Sequence, residues 1–116
     1  MTPGELYELK RMNFIKETKS NFDSLLKSLD FSEPRHEEFK QDNGTVLNDE
    51  IIYLNTDKNI EIIFSNSYHP VDYGMEINIA KGTEKEMIYF KLKEEQDIEQ
   101  SYIKATTKIV LEHLKS

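Results

Sequence analysis

Apolar and polar positions alternate with two different periods along this chain, and the switch between them divides it into three parts. Residues 3–29 carry Leu6, Leu9, Ile15, Phe22, Leu25, Leu26 and Leu29 at helical spacing, with Lys10, Lys16, Lys19, Asp23 and Lys27 on the other side. Thr2-Pro3-Gly4-Glu5 supplies an N-cap, a proline at the first helical position and a glutamate at the third, so a helix starts here. The stripe weakens between Ile15 and Phe22, and Ser20 to Asp23 could open a second helix. The absence of an internal Pro or Gly favours one helix, bent or loosened near Thr18.

Residues 51–92 switch to strand patterns. Ile51 to Asn55 and Ile60 to Ser65 are separated by the turn residues Thr56-Asp57-Lys58-Asn59 and predict a hairpin. Met75, Ile77 and Ile79 alternate with Glu76, Asn78 and Ala80. Met87 to Leu92 is the fourth strand, and residues 66–74, with their proline, glycine and two tyrosines, read as a loop. A last helix is expected from about Glu95 to Lys115, acidic at its start and basic at its end as the helix dipole prefers, with Ile98, Tyr102, Ala105, Ile109 and Leu111 or Leu114 inward. The expected fold is a single α+β domain over residues 1–116. It consists of an N-terminal helix, a four-stranded antiparallel meander and a C-terminal helix in a two-layer sandwich, with both helices on one sheet face. Leu25, Leu29, Ile62, Phe64, Ile77, Ile79 and Ile109 are the expected core.

Between these parts, residues 30–50 lose all periodicity and read as a connection, with at most a short strand around Phe39. Connections of this length are uncommon in compact domains and are often functional. Both faces of the predicted strands are also partly apolar. Ile51 and Tyr53 oppose Ile52 and Leu54, and Met87 and Tyr89 oppose Ile88, Phe90 and Leu92. The sheet face away from the helices is therefore covered by the 30–50 segment or by a second copy of the chain, or is open to a partner.

Charge sharpens this picture. The net charge is −7 over 116 residues, and residues 30–50 alone hold seven acidic side chains against Arg35 and Lys40. Nucleic acid and anionic membranes are disfavoured as partners. Arg11 and Arg35 are the only arginines, which removes most bidentate phosphate recognition. With no cysteine there is no disulfide, thiolate or Cys-type zinc chemistry. No run approaches the 18 or so apolar residues of a membrane span, and the first residues lack a signal-type apolar core, so a cytoplasmic protein is expected.

Candidate chemistry is sparse. His36-Glu37-Glu38 lacks metal-ligand spacing, and no metal or cofactor is expected. His69 beside Asp72 could orient an imidazole as a general base, and a small pocket could form near His69 and Tyr73, but no nucleophile can be placed there. His113 suits a helix C-terminus. Adjacent carboxylates such as Glu94 and Glu95 read as a solvated face, and the four glycines are too scattered for a phosphate loop.

Asn21-Phe22-Asp23-Ser24-Leu25-Leu26 with Leu29 and Phe31, followed by Ile52-Tyr53-Leu54-Asn55, Ile60-Glu61-Ile62-Ile63-Phe64 and Met75-Glu76-Ile77-Asn78-Ile79, resembles small bacterial immunity-type proteins. Those proteins neutralise polymorphic or contact-dependent toxins. The resemblance implies a non-catalytic binding module that occludes a toxin domain, and the acidic balance suits a basic one. The alternative is a structural or assembly protein that homodimerises through its sheet face. On the partner-binding reading Glu37, Glu38, Asp42, Asp49 and Glu50 are the expected steering charges, and Phe39, Tyr53 or Tyr68 the expected anchors.

Overall fold

A computed structural model describes residues 1–68 and 74–115. The fold is α+β: an N-terminal and a C-terminal helix flank an antiparallel sheet that has five strands, not four. The order is α1 (Pro3–Lys27), β1 (Arg35–Lys40), β2 (Val46–Asn55), β3 (Ile60–Ser67), β4 (Gly74–Lys81), β5 (Glu84–Leu92), two short 3-10 segments (Lys93–Glu95 and Ser101–Ala105) and α2 (Thr106–Lys115). The sheet is a simple meander, β1-β2-β3-β4-β5, each strand antiparallel to the next. The loop histidine His69, with Asp72, Tyr73 and any pocket around them, lies outside the described residues.

α1 is one helix and starts where its capping box predicts. The Thr2 hydroxyl accepts from the Glu5 amide at 3.1 Å, and the Glu5 carboxylate accepts from the Thr2 amide at 3.3 Å. Its buried side is Arg11, Phe14, Thr18, Phe22 and Leu26. That line is rotated from the stripe expected from the leucines, and Leu29 ends up exposed beyond the helix.

The expected 30–50 connection is instead a hairpin. Arg35 to Lys40 pairs with residues 46–52 of β2, which itself begins five residues before the expected Ile51. Alternation failed as a signal because β1 is an edge strand with almost no burial, so nothing apolar marks it; its residues are Arg-His-Glu-Glu-Phe-Lys. Gly44, at φ 88°, gives the turn its left-handed residue.

The expected helix from Glu95 also needs correcting, because α2 begins only at Thr106. Asp97 accepts from the Ser101 amide at 3.1 Å and from its hydroxyl at 2.6 Å, a local side-chain arrangement that competes with helix. Gln100 then takes a left-handed conformation at φ 58° and is fully buried, its amide held by the Asp97 carbonyl and the Tyr102 hydroxyl.

One core lies between the helices and one sheet face. Phe14, Phe22 and Leu26 of α1, with Ile103 and Val110 from the C-terminal segment, pack on Ile51, Tyr53, Ile62, Phe64, Met75, Ile77 and Ile79. Of the expected core, Ile62, Phe64, Ile77 and Ile79 are buried; Leu25 packs against the core half-buried, as does neither Leu29, which is exposed, nor Ile109, which is half-buried outside the main cluster.

Candidate functional site

Two features could carry function: a polar cluster at one end of the helix–sheet interface, and the sheet face opposite the helices.

The polar cluster is built around Asp49, which points from β2 toward α1 and is fully buried. Arg11, one helical turn before Phe14 on the buried side of α1, donates to it through Nε at 2.8 Å and Nη2 at 3.1 Å. The Tyr68 hydroxyl donates to Oδ2 at 2.8 Å, and His36 Nε2 lies 2.7 Å from Oδ1. Arg11 also reaches Glu38 at 2.5 Å and Glu8 at 3.2 Å. Tyr7 packs its ring on Tyr68 at 5.5 Å and donates its hydroxyl to the Val46 carbonyl. Burial by itself would raise the Asp49 carboxyl, but the bonds from Arg11, His36 and Tyr68 outweigh it and hold the group below the usual carboxylate range. Burial beside Asp49 pushes the Tyr68 phenol up, so it stays a donor. The hydrogen bond to Asp49 raises Arg11 further, against its own desolvation.

His36, Glu38 and Asp49 bring ligand-type atoms within 4.8 Å of one another, which the sequence spacing of His36-Glu37-Glu38 did not suggest. Both Asp49 oxygens are nonetheless engaged, and the Arg11 guanidinium already supplies the compensating positive charge. A cation would have to displace it. The geometry describes a pin that ties α1, β1 and β2 together. An open depression of about 670 Å³ between the start of α1 and the β1–β2 turn has Arg11 and Glu38 in its wall, both facing each other.

The second feature is the opposite sheet face. In an antiparallel ladder, directly paired residues share a face, so the register lists it rung by rung. One rung runs Arg35, Ile52, Ile63, Asn78, Met87; the next runs Glu37, Glu50, Ser65, Glu76, Phe90. Beyond it Phe39 pairs with Asn48 and Asn48 with Ser67, Gly74 pairs with Leu92, and the Asn48 amide oxygen accepts from both Ser65 and Ser67. The core helices pack on the opposite face, and residues 35–40 and 46–50 belong to the sheet rather than covering it; on these rungs Ile52 is buried, Glu50, Ile63, Ser65, Glu76 and Asn78 are half-buried, and Phe39, Met87, Phe90 and Leu92 are exposed.

The face assignment of β5 differs from simple alternation. Ile77 pairs with Tyr89 and its neighbour Asn78 with Met87, so Ile88 is one extra residue in β5. Tyr89 therefore faces the helices, stacked on Tyr102 at 6.3 Å, while Met87 joins Phe90 and Leu92 on the open face, all three exposed.

The eight expected partner-binding residues separate accordingly. Glu37, Glu50 and Phe39 lie on the open face; Asp42 is exposed in the β1–β2 turn; Glu38 faces the helix side and pairs with Arg11. The other three need correction as surface groups. Asp49 is the buried pin, Tyr68 is its donor, and Tyr53 is a fully buried core residue that donates to Asp23 at 2.5 Å. Sequence reasoning places Asp49 in the aperiodic 30–50 segment and Tyr68 in the 66–74 loop, and both-sided hydrophobicity gives the strand of Tyr53 no inner and outer face. Glu76, Met87 and Phe90 were missed as members of the open face. Arg11 was missed as well, although an arginine at 3–4 spacing with Tyr7, Phe14, Thr18 and Phe22 is a signal of a buried charge.

Compared with protein-family models, with curated proteins and with solved structures, the chain matches none of them. No helix among the described residues is long and apolar enough to cross a membrane.

Proposed function

We propose that this chain is a non-catalytic protein-binding module of the immunity type that its sequence resembles, acting in the cytoplasm to occlude a basic toxin domain. The observation that carries this reading is the sheet face opposite the helices, where the carboxylates of Glu37, Glu50 and Glu76 lie beside exposed Met87, Phe90 and Leu92 on one meander. Rigid, partly apolar faces of this kind suit protein association. The polar cluster supports the same reading, since its ionisable groups are tied to one another in the way of a structural ion-pair network.

The second reading, homodimerisation as an assembly protein, draws on exposed Met87, Phe90 and Leu92 along one side of the same face. Affinity capture from the source cells, followed by assay of the captured protein's own activity with and without this chain, tests the first reading. A stoichiometric partner whose activity is suppressed is expected. A chain that captures only itself, and sediments as a dimer, overturns it in favour of the second.

A further inference from the structure

We infer that the partner docks flat on the open face and seats basic side chains over the Glu37, Glu50 and Glu76 rung, rather than adding a strand to either sheet edge. This rests on the protein-binding reading and specifies its surface and the chemistry of the partner.

Glu50 lies on the rung half-buried, and its carboxylate has no side-chain hydrogen bond or ion pair within contact distance among the described residues, Lys85 and Arg35 acting on it only from farther off. Glu37 stands directly across from it on β1, and Glu76 lies beyond Ser65 on the other side. Arg35 reaches only Glu37, at 3.1 Å. Folding thus assembles like charges on neighbouring strands, where facing like charges destabilise a sheet. The adjacent rung offers half-buried Ile63 and exposed Met87 beside the buried Ile52, and exposed Phe90 closes the carboxylate rung itself. A lysine or arginine can lay its methylene stem on that apolar row while its charge meets the carboxylates.

Other modes of association fit less well. β1, with five of its six side chains polar or charged, is guarded against strand addition, and the extra residue in β5 breaks the regular hydrogen-bond spacing that an added strand needs. Two copies packed face to face about a two-fold axis through the sheet centre would set one carboxylate rung against the other. A basic partner meets neither obstacle.

The test uses the partner recovered by capture, identified and purified, and follows association and dissociation at low and high salt. The combined variant Glu37→Gln, Glu50→Gln, Glu76→Gln should slow association by about tenfold at low salt and flatten its salt dependence. Ile63→Ser should speed dissociation by about tenfold if its side chain is a buried anchor. Lys16→Gln with Lys19→Gln, on the exposed side of α1, should change neither. Wild-type kinetics in the face variants together with weakened binding in the α1 variant would leave the binding function standing and overturn the face. Capture of no partner at all would overturn both. Sedimentation supplies a further arm: a wild-type dimer whose amide protection maps to Ile52, Ile63 and Met87 would make the occupant a second copy and reject the inference.

Discussion

Asp49 accepts hydrogen bonds from two elements besides its own strand, and each partner would be left with an unmatched group if it were removed. Asp49→Asn should destabilise the fold by up to about 3–5 kcal/mol, because the buried Arg11 guanidinium would lose its one fully buried counter-charge and keep only the more exposed Glu38 and Glu8. Urea unfolding would read it, and a loss near zero would mean that water reaches Arg11 freely. The pH behaviour follows in sign. The Asp49 carboxyl is held below its unfolded value, so its stabilisation is complete above about pH 4 and is lost as pH falls through the lower folded value. Glu50 behaves oppositely. Burial and the nearby Glu37 raise its carboxyl, so the folded state loses stability as pH rises through that raised value. Glu50→Gln should therefore melt higher than the wild type at pH 7, with the two curves meeting below about pH 4; a lower melting temperature at pH 7 would show that Glu50 has a stabilising role within the chain. A residue whose replacement improves stability while it sits on the open face is what a binding surface is expected to contain.

At the scale of elements, β4 begins at a position that admits only glycine. Gly74 has φ 125°, and a Cβ there would stand 2.3 Å from the Lys91 carbonyl oxygen and 2.7 Å from the Lys93 amide nitrogen. Gly74→Ala should lower stability by about 1–3 kcal/mol or more, and calorimetry would show it as a lower melting temperature with the far-ultraviolet spectrum retained. The elements with strong internal patterning were legible in the sequence: α1 with its capping box, the β2–β3 hairpin, and β4 with its clean alternation. β1 was not, because an exposed, charged edge strand owes its place to backbone pairing with β2 and to the bonds of His36 and Glu38, which depend on residues far along the chain. The 3-10 course before α2 was hidden for a related reason. Helix propensity and charge order favoured helix from Glu95, but the Asp97–Ser101 bonds and the buried Gln100 amide won locally. Of the candidate surface, the acidic segment marked the β1–β2 strand pair, and only the register could sort Glu37 and Glu50 on one face from Glu38 and Asp49 on the other.

For the whole molecule, the single core lies between the helices and one side of the sheet, so the two faces differ in burial. Ile77→Ala, at the centre of that core, should cost about 2–5 kcal/mol, whereas Met87→Ala on the open face should stay within about 0.5 kcal/mol. Chemical denaturation of the pair would check the assignment, and comparable losses would contradict it. The same asymmetry leaves the outer edge of β5 with four consecutive apolar or aromatic residues, Met87 to Phe90, of which Ile88 is the extra one. Because Asn78 pairs with Met87 and Ile77 with Tyr89, deleting Ile88 would restore an even ladder without turning any other side chain to the opposite face. It would also remove an aliphatic group packed against the core. The deleted chain would then present a regular edge whose charges, Glu84, Lys85, Glu86 and Lys91, sum to zero, and fibrils that bind amyloid dyes and repeat at about 4.8 Å along their axis should grow from it. One inserted residue in an outer strand is thus a guard on solubility.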